Sequence, residues 1–368
     1  MRIVRIADLD NYIDKEVAKP LRLKDGRVYV NSNVKITKGI VNALKRNIDS
    51  LAHRFITIHT EDSEGIDLYD DTIGDELKFE AKHKIDATLK QFSSQNTESV
   101  KKLVTEIIDN LYSNPNTIFG TNILFLAGGE DHAVHSLNVA ILSAIMGLNA
   151  GYNKNELEKI VLGAALHDIG MAKIDSRLLD INYVYNNKED YLEMQKHPLE
   201  GYNLVKNKIS VMSKRIILMH HVWENFSASY NSDLDVYMSY PHKLNNTVLD
   251  GRYKDLSISI VQTADVFEAM TNKETGYKSR KTKVEALEYI RSMKYVQFGE
   301  GADYLVNCIT PYEAGTEVVL NNREKAIVMR YTSLPHRPVI KFLTGDDKGE
   351  IVNLMDKRYL TLNIVSAP

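Results

Sequence analysis

The sequence predicts a multidomain, mainly α-helical protein, in which an all-α helical bundle is flanked by a small N-terminal α+β module and a small C-terminal β unit. Segments with helical periodicity and short polar breaks fill residues 117 to about 295, whereas both ends of the chain alternate apolar and polar residues. The length of 368 residues leaves room for two or three domains. We expect four segments, with boundaries at 1–72, 73–116, 117–308 and 309–368.

The first two segments differ in their periodicity. In the first, "DGRVYVN" places a turn before alternating apolar residues, "KITKGIVNALKRNI" has helical spacing at Ile40, Leu44 and Ile48, and "HRFITIHT" is typical of a returning strand. The second, 73–116, is charged and helical with one apolar stripe, and Thr97 is its predicted N-cap. This segment is either a connecting or dimerising helix or a part of the next core.

The third segment is predicted to be all α. Stretches such as "HSLNVAILSAIMGLNAG", "NELEKIVLGAALHD" and "LSISIVQTADVFEAMT" have helical spacing, and one long irregular connection, 222–255, interrupts them. In the fourth segment "TEVVL" and "AIVMRY" alternate on either side of a turn at Asn321 and Asn322. The end of the chain is therefore predicted to be a small β unit.

Composition excludes several classes of function. Lys and Arg number 46 against 49 Asp and Glu, so the net charge of -3 provides no electrostatic surface for DNA. Cys308 is the only cysteine, which excludes an intrachain disulfide and agrees with a reducing compartment. Residues 1–20 lack the pattern of a signal peptide, and no apolar run reaches about 18 residues. We expect a cytoplasmic protein with no DNA binding and no membrane insertion.

The histidines are concentrated in the predicted bundle. Six of the eleven fall between His132 and His221, and most stand at predicted helix ends. Asp265 lies on the apolar face of its helix, and a buried carboxylate needs a cation, a metal or a proton. Each of these residues alone has a structural explanation, but together they indicate a metal cluster. The converging set is His135, His167, Asp168, His197, His220, His221 and Asp265.

The chemistry of this donor set narrows the type of metal site. Mixed nitrogen and oxygen ligands suit iron, manganese or zinc, and the lack of paired cysteines argues against a structural zinc site. Helical bundles build catalytic metal sites from side chains on facing helices. We therefore expect a catalytic centre, with Gly170 as the C-cap of the helix that ends in His167 and Asp168.

The ordered pattern resembles a known family. His135, "HD" at 167–168, His197 in "KHP", "HH" at 220–221 and Asp265 in "TADVFEAMT" are similar to the signature of the HD-GYP branch of the HD phosphohydrolases, which hydrolyse cyclic di-GMP. The resemblance runs through about 130–280. It implies an HD-type helical bundle and a cytoplasmic phosphodiesterase of bacterial signalling.

The resemblance also implies roles for individual residues. Asp168 would bridge two metals, with the other six members of the converging set completing the cluster, and Asp131 stands where the family often has a ligand for a third metal. Two or three divalent ions, iron or manganese, are therefore implied. They would activate water for hydrolysis, so that Asp168 and Lys173 are the implied catalytic residues.

The sequence departs from the family at positions that contact substrate. Met171 replaces the lysine that usually follows "HDIG", and Lys173 is the nearest substitute. We align Tyr240 of "SYP" with the GYP element, with a chance match in a Tyr-rich loop as the alternative. Lys278 and Arg280 lie in the segment that corresponds to the family's Arg-rich motif, and a solvated charge run is the alternative there.

These observations predict a metal-dependent phosphodiesterase that hydrolyses cyclic di-GMP to the linear dinucleotide. Whether a second cleavage then gives GMP is left open by the sequence. The expected partner is a cyclic dinucleotide, and a homodimer is an open expectation. Two alternatives remain: a cyclic-dinucleotide sensor with weak turnover, and an HD hydrolase of another phosphate ester, because the scaffold does not choose the substrate.

Overall fold

A computed structural model of the chain describes residues 1–51, 54–61, 65–66, 72–113, 119–120, 132–179, 188–222, 255–272 and 281–367. The described chain is mainly helical and divides into two compact units. The first contains Met1–Glu76, the strand Phe119–Gly120 and the chain from Asn307 onward. The second contains the described residues from Leu77 to Asn114 and from Gly129 to Val306. The predicted class, multidomain and mainly α, is confirmed.

The N-terminal residues of the first unit form short strands around one helix. The elements are β1 (Arg2–Arg5), β2 (Leu21–Arg22), β3 (Val28–Val30), α1 (Lys38–Arg46) and β4 (Phe55–Ile58). β1 pairs antiparallel with β4, and β2 with β3. Thr37 caps α1, since its side-chain oxygen accepts a hydrogen bond from the backbone N–H of Ile40 at 3.3 Å. The predicted helix and returning strand are both present.

The C-terminal residues form an antiparallel sheet. Its strands are β7 (Glu317–Leu320), β8 (Lys325–Arg330), β9 (Val339–Phe342), β10 (Ile351–Asn353) and β11 (Ile364–Ser366), and two further strands of the unit are β5 (Phe119–Gly120) and β6 (Ile309–Thr310). The sheet order is β10-β9-β8-β7-β11, and β5 pairs with β6 in a separate parallel pair. The β7–β8 hairpin turns through Asn321 and Asn322, as predicted, with Arg323 at a φ of 72°.

The two ends of the chain meet within the first unit. The backbone N–H of Ile3 donates to the carbonyl of Gly315 at 3.1 Å, and Arg2 forms an ion pair with Glu317. The predicted segments 1–72 and 309–368 therefore share one compact unit. The segment boundaries themselves stay predictions.

The second unit is an all-α bundle. Its helices are α2 (Asp75–Lys90), α3 (Ser94–Tyr112), α4 (His132–Asn149), α5 (Lys154–Ala165), α6 (Lys188–Met194), α7 (His197–Val205), α8 (Val211–Met219), α9 (Leu256–Asn272), α10 (Lys283–Ser292) and α11 (Gly301–Cys308). α4 is buried along most of its length and packs against α5 and α9, while α8 packs against α5 and α7. Over the described residues, no helix combines the length and the apolar character needed to cross a membrane.

The predicted N-cap of α3 is wrong by one turn. Ser93 caps this helix, because its hydroxyl oxygen accepts the backbone N–H of Asn96 at 3.1 Å. Thr97 lies inside the first turn, where its hydroxyl donates to the carbonyl of Ser93 at 2.7 Å. Both residues are chemically able to cap a helix, and the sequence pattern did not separate them.

Gly170 has a different role from the predicted C-cap. α5 ends at Ala165, and Gly170 lies in the following 3-10 turn, Ile169–Lys173. A Cβ atom added at Gly170 would stand 1.9 Å from the carbonyl oxygen of His197 and 2.5 Å from the backbone nitrogen of Gly201. Glycine is needed because the turn after Asp168 lies directly against the backbone of α7.

Gly170→Ala should therefore destabilise the protein. The added methyl group meets backbone atoms, so the turn and α7 must separate, and we expect the free energy of unfolding to fall by about 1–3 kcal/mol. Urea denaturation followed by the helical circular dichroism signal measures this. Gly39→Ala is the control, since its nearest new contact is an ordinary 3.7 Å. Equal stability of the two variants would contradict the close approach.

Candidate metal centre

Five parts of the bundle converge on one buried cluster. His135 lies on α4, Asp265 on α9, and His197 begins α7, while two adjacent pairs occupy the turns that follow α5 and α8. Six of these side chains are buried and His221 is half-buried. The converging residues are His135, His167, Asp168, His197, His220, His221 and Asp265.

One group of donors consists of His135, His167 and Asp265, which we call triad A. Their ligand atoms all lie within 4.8 Å of one another. The Nε2 atoms of His135 and His167 are 3.2 Å and 4.0 Å from Oδ1 of Asp265. Two nitrogens and one carboxylate oxygen thus face a common point, which is the start of a coordination shell for a divalent ion.

A second group consists of His197, His220 and His221, which we call triad B. Its ligand atoms also lie within 4.8 Å of one another, and the rings of His220 and His221 are 4.2 Å apart between centroids. The Nε2 atoms of His197 and His220 are 3.1 Å apart. Nitrogen lone pairs that converge in this way suit a cation placed between them.

The Asp168 carboxylate lies between the two triads. Its Oδ2 is 3.4 Å from Nε2 of His167 and 3.9 Å from Nε2 of His135, both in triad A. Its Oδ1 is 3.3 Å from Nε2 of His197 and 3.7 Å from Nε2 of His220, both in triad B. One oxygen therefore faces each triad, an arrangement that suits a carboxylate shared by two metal ions.

Three of the histidines have their tautomer set by the backbone. The Nδ1 atoms of His167, His197 and His220 donate to the carbonyls of Ala164, Met194 and Ile217, at 2.8, 2.9 and 2.8 Å. In each case the acceptor is three residues earlier in the chain. A carbonyl can only accept, so Nδ1 carries a proton, and in the neutral form of the ring the lone pair lies on Nε2, where it can bind a metal.

His135 uses a side chain instead of a carbonyl. Its Nδ1 donates to Oε2 of Glu268 at 2.5 Å, and the amides of Asn138 and Asn272 each donate to Oε1 of Glu268 at 2.9 Å. Glu268 was not among the residues predicted from the sequence. Its position three residues after Asp265 on α9 was the available signal, since that spacing puts both carboxylates on one face of the helix.

Burial keeps the His167 imidazole neutral. It lowers the pKa of His167 from 6.5 to about 4, against the opposing effect of the neighbouring carboxylates. A neutral imidazole is the form that binds a metal. His167 is therefore ready to act as a ligand at neutral pH.

The carboxylates of the cluster stay ionised. Burial alone would raise the pKa of Asp168, but the surrounding histidines His167, His197 and His220 favour its ionised form and hold that pKa well below 3.8. Glu268 is likewise buried, and His135 with the two amides lowers its pKa to about 2. Buried anions beside imidazoles favour a cation, so the donor set fits divalent metal ions.

The other predicted site residues divide into two groups. Lys173 is exposed at the end of the 3-10 turn that follows Asp168, and Met171 in the same turn is partly buried. Four predicted residues lie outside the described residues: Asp131, Tyr240, Lys278 and Arg280. The structure thus brings together the seven residues predicted as inner ligands, and the roles of all these residues stay predictions.

Comparison with known families agrees with this geometry. The family described as the HD domain matches residues 133–270, the span that contains all seven converging residues. Residues 133–270 are thus similar to the HD domain family. HD domains bind divalent metal ions, so the predicted class of metal-dependent phosphohydrolase is supported at this coarse level, and the HD resemblance is confirmed.

Other comparisons give less detail. Among solved structures, the chain is similar to Bd1817, a HDG"Y"P protein from Bdellovibrio bacteriovorus, with 17% sequence identity and a TM-score of 0.45. The similarity covers 82% of this chain and 97% of the other. Comparison with curated protein sequences finds no match.

The burial of His167 predicts a pH-dependent stability of the metal-free protein. In the unfolded chain histidine takes up a proton near pH 6.5, whereas folded His167 does so only near 4. Acidification between these values therefore favours the unfolded state, and stability should fall as the pH drops from about 6.5 to about 4. Thermal unfolding midpoints of chelator-treated protein across this range measure it.

Two variants make this test specific. His167→Gln removes the titrating group and should give a shallower dependence of the midpoint on pH. His83→Gln, at an exposed position of α2, should leave the dependence as in the wild type. Identical slopes for His167→Gln and the wild type would show that His167 does not contribute.

Proposed function

We propose that the HD domain belongs to the HD-GYP branch and hydrolyses cyclic di-GMP to the linear dinucleotide, and onward to GMP. The observation that carries this proposal is the pair of triads, A and B, with Asp168 between them. The order of these residues along the chain and their local motifs also match the HD-GYP signature described above.

In this proposal the converging residues form two metal positions. Triad A with Oδ2 of Asp168 would hold one divalent ion, and triad B with Oδ1 would hold the other. Iron or manganese suits these nitrogen and oxygen donors. Ions bound there would supply water activation and charge neutralisation at a phosphoryl group. A third ion at Asp131 is a further part of the proposal.

The protein groups have separate tasks in this scheme. The buried imidazoles keep their Nε2 lone pairs directed to the centre, because their Nδ1 protons are held by fixed acceptors. Lys173 would provide a cation for the substrate phosphate from the exposed turn beside Asp168. Tyr240, Lys278 and Arg280 are proposed as further substrate contacts.

One observation favours a second candidate function, a sensor that binds the cyclic dinucleotide and turns it over weakly. All seven proposed inner ligands converge, whereas the position after "HDIG" carries Met171, which has no charge for a phosphate. Turnover and binding therefore have to be measured on the same preparation.

A homodimer through the segment 73–116 is a further proposal.

The proposed activity predicts release of linear dinucleotide from cyclic di-GMP when Mn²⁺ or Fe²⁺ is present. His167→Ala and Asp168→Ala each remove a ligand and should lower the rate by at least about 100-fold, since loss of an outer-shell partner alone costs 10–100-fold. Chromatography of the products measures this. His83→Ala, on exposed α2, is the control and should keep wild-type activity.

The outcomes separate the three candidates. Tight binding of cyclic di-GMP without product would support the sensor and contradict the phosphodiesterase. Hydrolysis of a different phosphate ester with no binding of cyclic di-GMP would support another HD hydrolase.

The proposed role of Lys173 gives a further prediction. Lys173→Ala should lower kcat/KM for cyclic di-GMP by about 10–100-fold, because a hydrogen bond to a charged group contributes about 1.5–3 kcal/mol. Steady-state kinetics measure this. Lys154→Ala removes an exposed lysine of α5 that pairs with Asp109, and it should leave kcat/KM unchanged. Equal kinetics of both variants would remove Lys173 from the site.

A further inference from the structure

Glu268 connects the two helices that carry two of the triad A ligands. It lies on α9, three residues after Asp265, and its side chain is 2% exposed. It accepts hydrogen bonds from His135 and Asn138, which are three residues apart on α4, and from Asn272 one turn further along α9. This carboxylate is thus fully enclosed and accepts three donors.

The three contacts fix both oxygens of Glu268. Oε1 accepts the two amides at 2.9 Å each, which leaves Oε2 directed at Nδ1 of His135 at 2.5 Å. The opposite ring nitrogen of His135, Nε2, is 3.2 Å from Oδ1 of Asp265. The imidazole is therefore held between a carboxylate that is a candidate ligand and one that is not.

We propose that Glu268 is a positioning residue that holds His135 in the Nδ1–H tautomer and aims its Nε2 at the metal position of triad A. The proposal rests on the metal centre of the proposed function and goes beyond its ligand set. His167, His197 and His220 obtain the same effect from backbone carbonyls, which no substitution removes. At His135 the acceptor is a side chain, so this metal position can be weakened selectively.

The charge and the acceptor count both matter at this position. A carboxylate partner fixes the orientation of a ligand histidine and raises its basicity. A glutamine of the same shape has one acceptor oxygen and an amide that donates, so it cannot accept from three donors. Either His135 loses its charged partner, or it faces an N–H group and must move its own proton to Nε2.

Glu268→Gln tests the proposal in full-length protein with two readouts. In metal-free protein labelled with ¹⁵N-histidine, the ring signals of His135, identified with His135→Gln, should show Nδ1–H in the wild type and a changed tautomer or shift in Glu268→Gln. The signals of His167, His197 and His220 should stay unchanged. In Mn²⁺ titrations followed by electron paramagnetic resonance, one binding event should weaken by about 10–100-fold and the other should be retained.

Two further variants control for general loosening of α9. Gln262 lies three residues before Asp265 and donates to the carbonyls of Met219 and Val222, which flank the His220–His221 pair of triad B. Gln262→Leu should leave the ring signals of His135 unchanged. Asn272→Ala removes one donor to Glu268 and should weaken the same Mn²⁺ event as Glu268→Gln, by a smaller factor, which keeps the test valid if Glu268→Gln folds poorly.

The proposal is overturned if the His135 signals of Glu268→Gln match the wild type, or if Gln262→Leu changes them as much. It is also overturned if both Mn²⁺ binding events weaken equally in Glu268→Gln. All of these readouts are taken without nucleotide. Failure of the wild type to hydrolyse cyclic di-GMP would therefore contradict the proposed function and leave the role of Glu268 standing.

Discussion

The bundle depends on one electrostatic constraint, the burial of the Asp168 carboxylate between two groups of imidazoles. Asp168 is accompanied by two other buried carboxylates, Asp265 and Glu268, and burying anions without compensation is costly. A neutral imidazole carries no positive charge that could compensate a buried carboxylate. Divalent cations in the two triads would supply the missing positive charge, which is why the donors face inward at positions that would otherwise be apolar core.

The backbone supports this constraint through the ends of helices. A histidine placed just after a helix, or at its first residue, can give its Nδ1 proton to a carbonyl three residues earlier, as His167, His197 and His220 do. This contact satisfies a carbonyl and selects the tautomer at once. The close contact between Gly170 and the backbone of α7 then sets how near Asp168 comes to His197.

The sequence predicted much of the architecture and the residues that converge at the candidate metal centre. Helical periodicity marked α4, α5 and α9, alternation marked the β7–β8 hairpin, and the clustered histidines indicated the metal centre. Caps were less certain, because Ser93 and Thr97 have the same chemistry and only the backbone path chooses between them. Gly170 was predicted to be a C-cap because glycine is common at that position. Its actual role comes from a contact with the backbone of α7, which is distant in sequence and leaves no local pattern.

Glu268 was not predicted for a related reason. In the sequence it is one more acidic residue on a helix, and its importance comes from His135 and Asn138, which lie more than a hundred residues earlier. The proposed substrate contacts are a different case. Lys173 is exposed, and its role and that of the other proposed contact residues are defined only by their interactions with a bound ligand. The role of a residue that acts through packing can be inferred from the fold alone. The role of a residue that contacts the substrate can be established only with the substrate bound.

The most direct test of the central claim is the metal content of protein purified without oxygen or chelators. Elemental analysis should give at least about two divalent ions per chain in the wild type, as expected for paired metal sites, and Asp168→Ala should lose most of both because its carboxylate faces both triads. Less than one ion per chain in the wild type, or an unchanged content in Asp168→Ala, would contradict the account of a shared, two-metal centre.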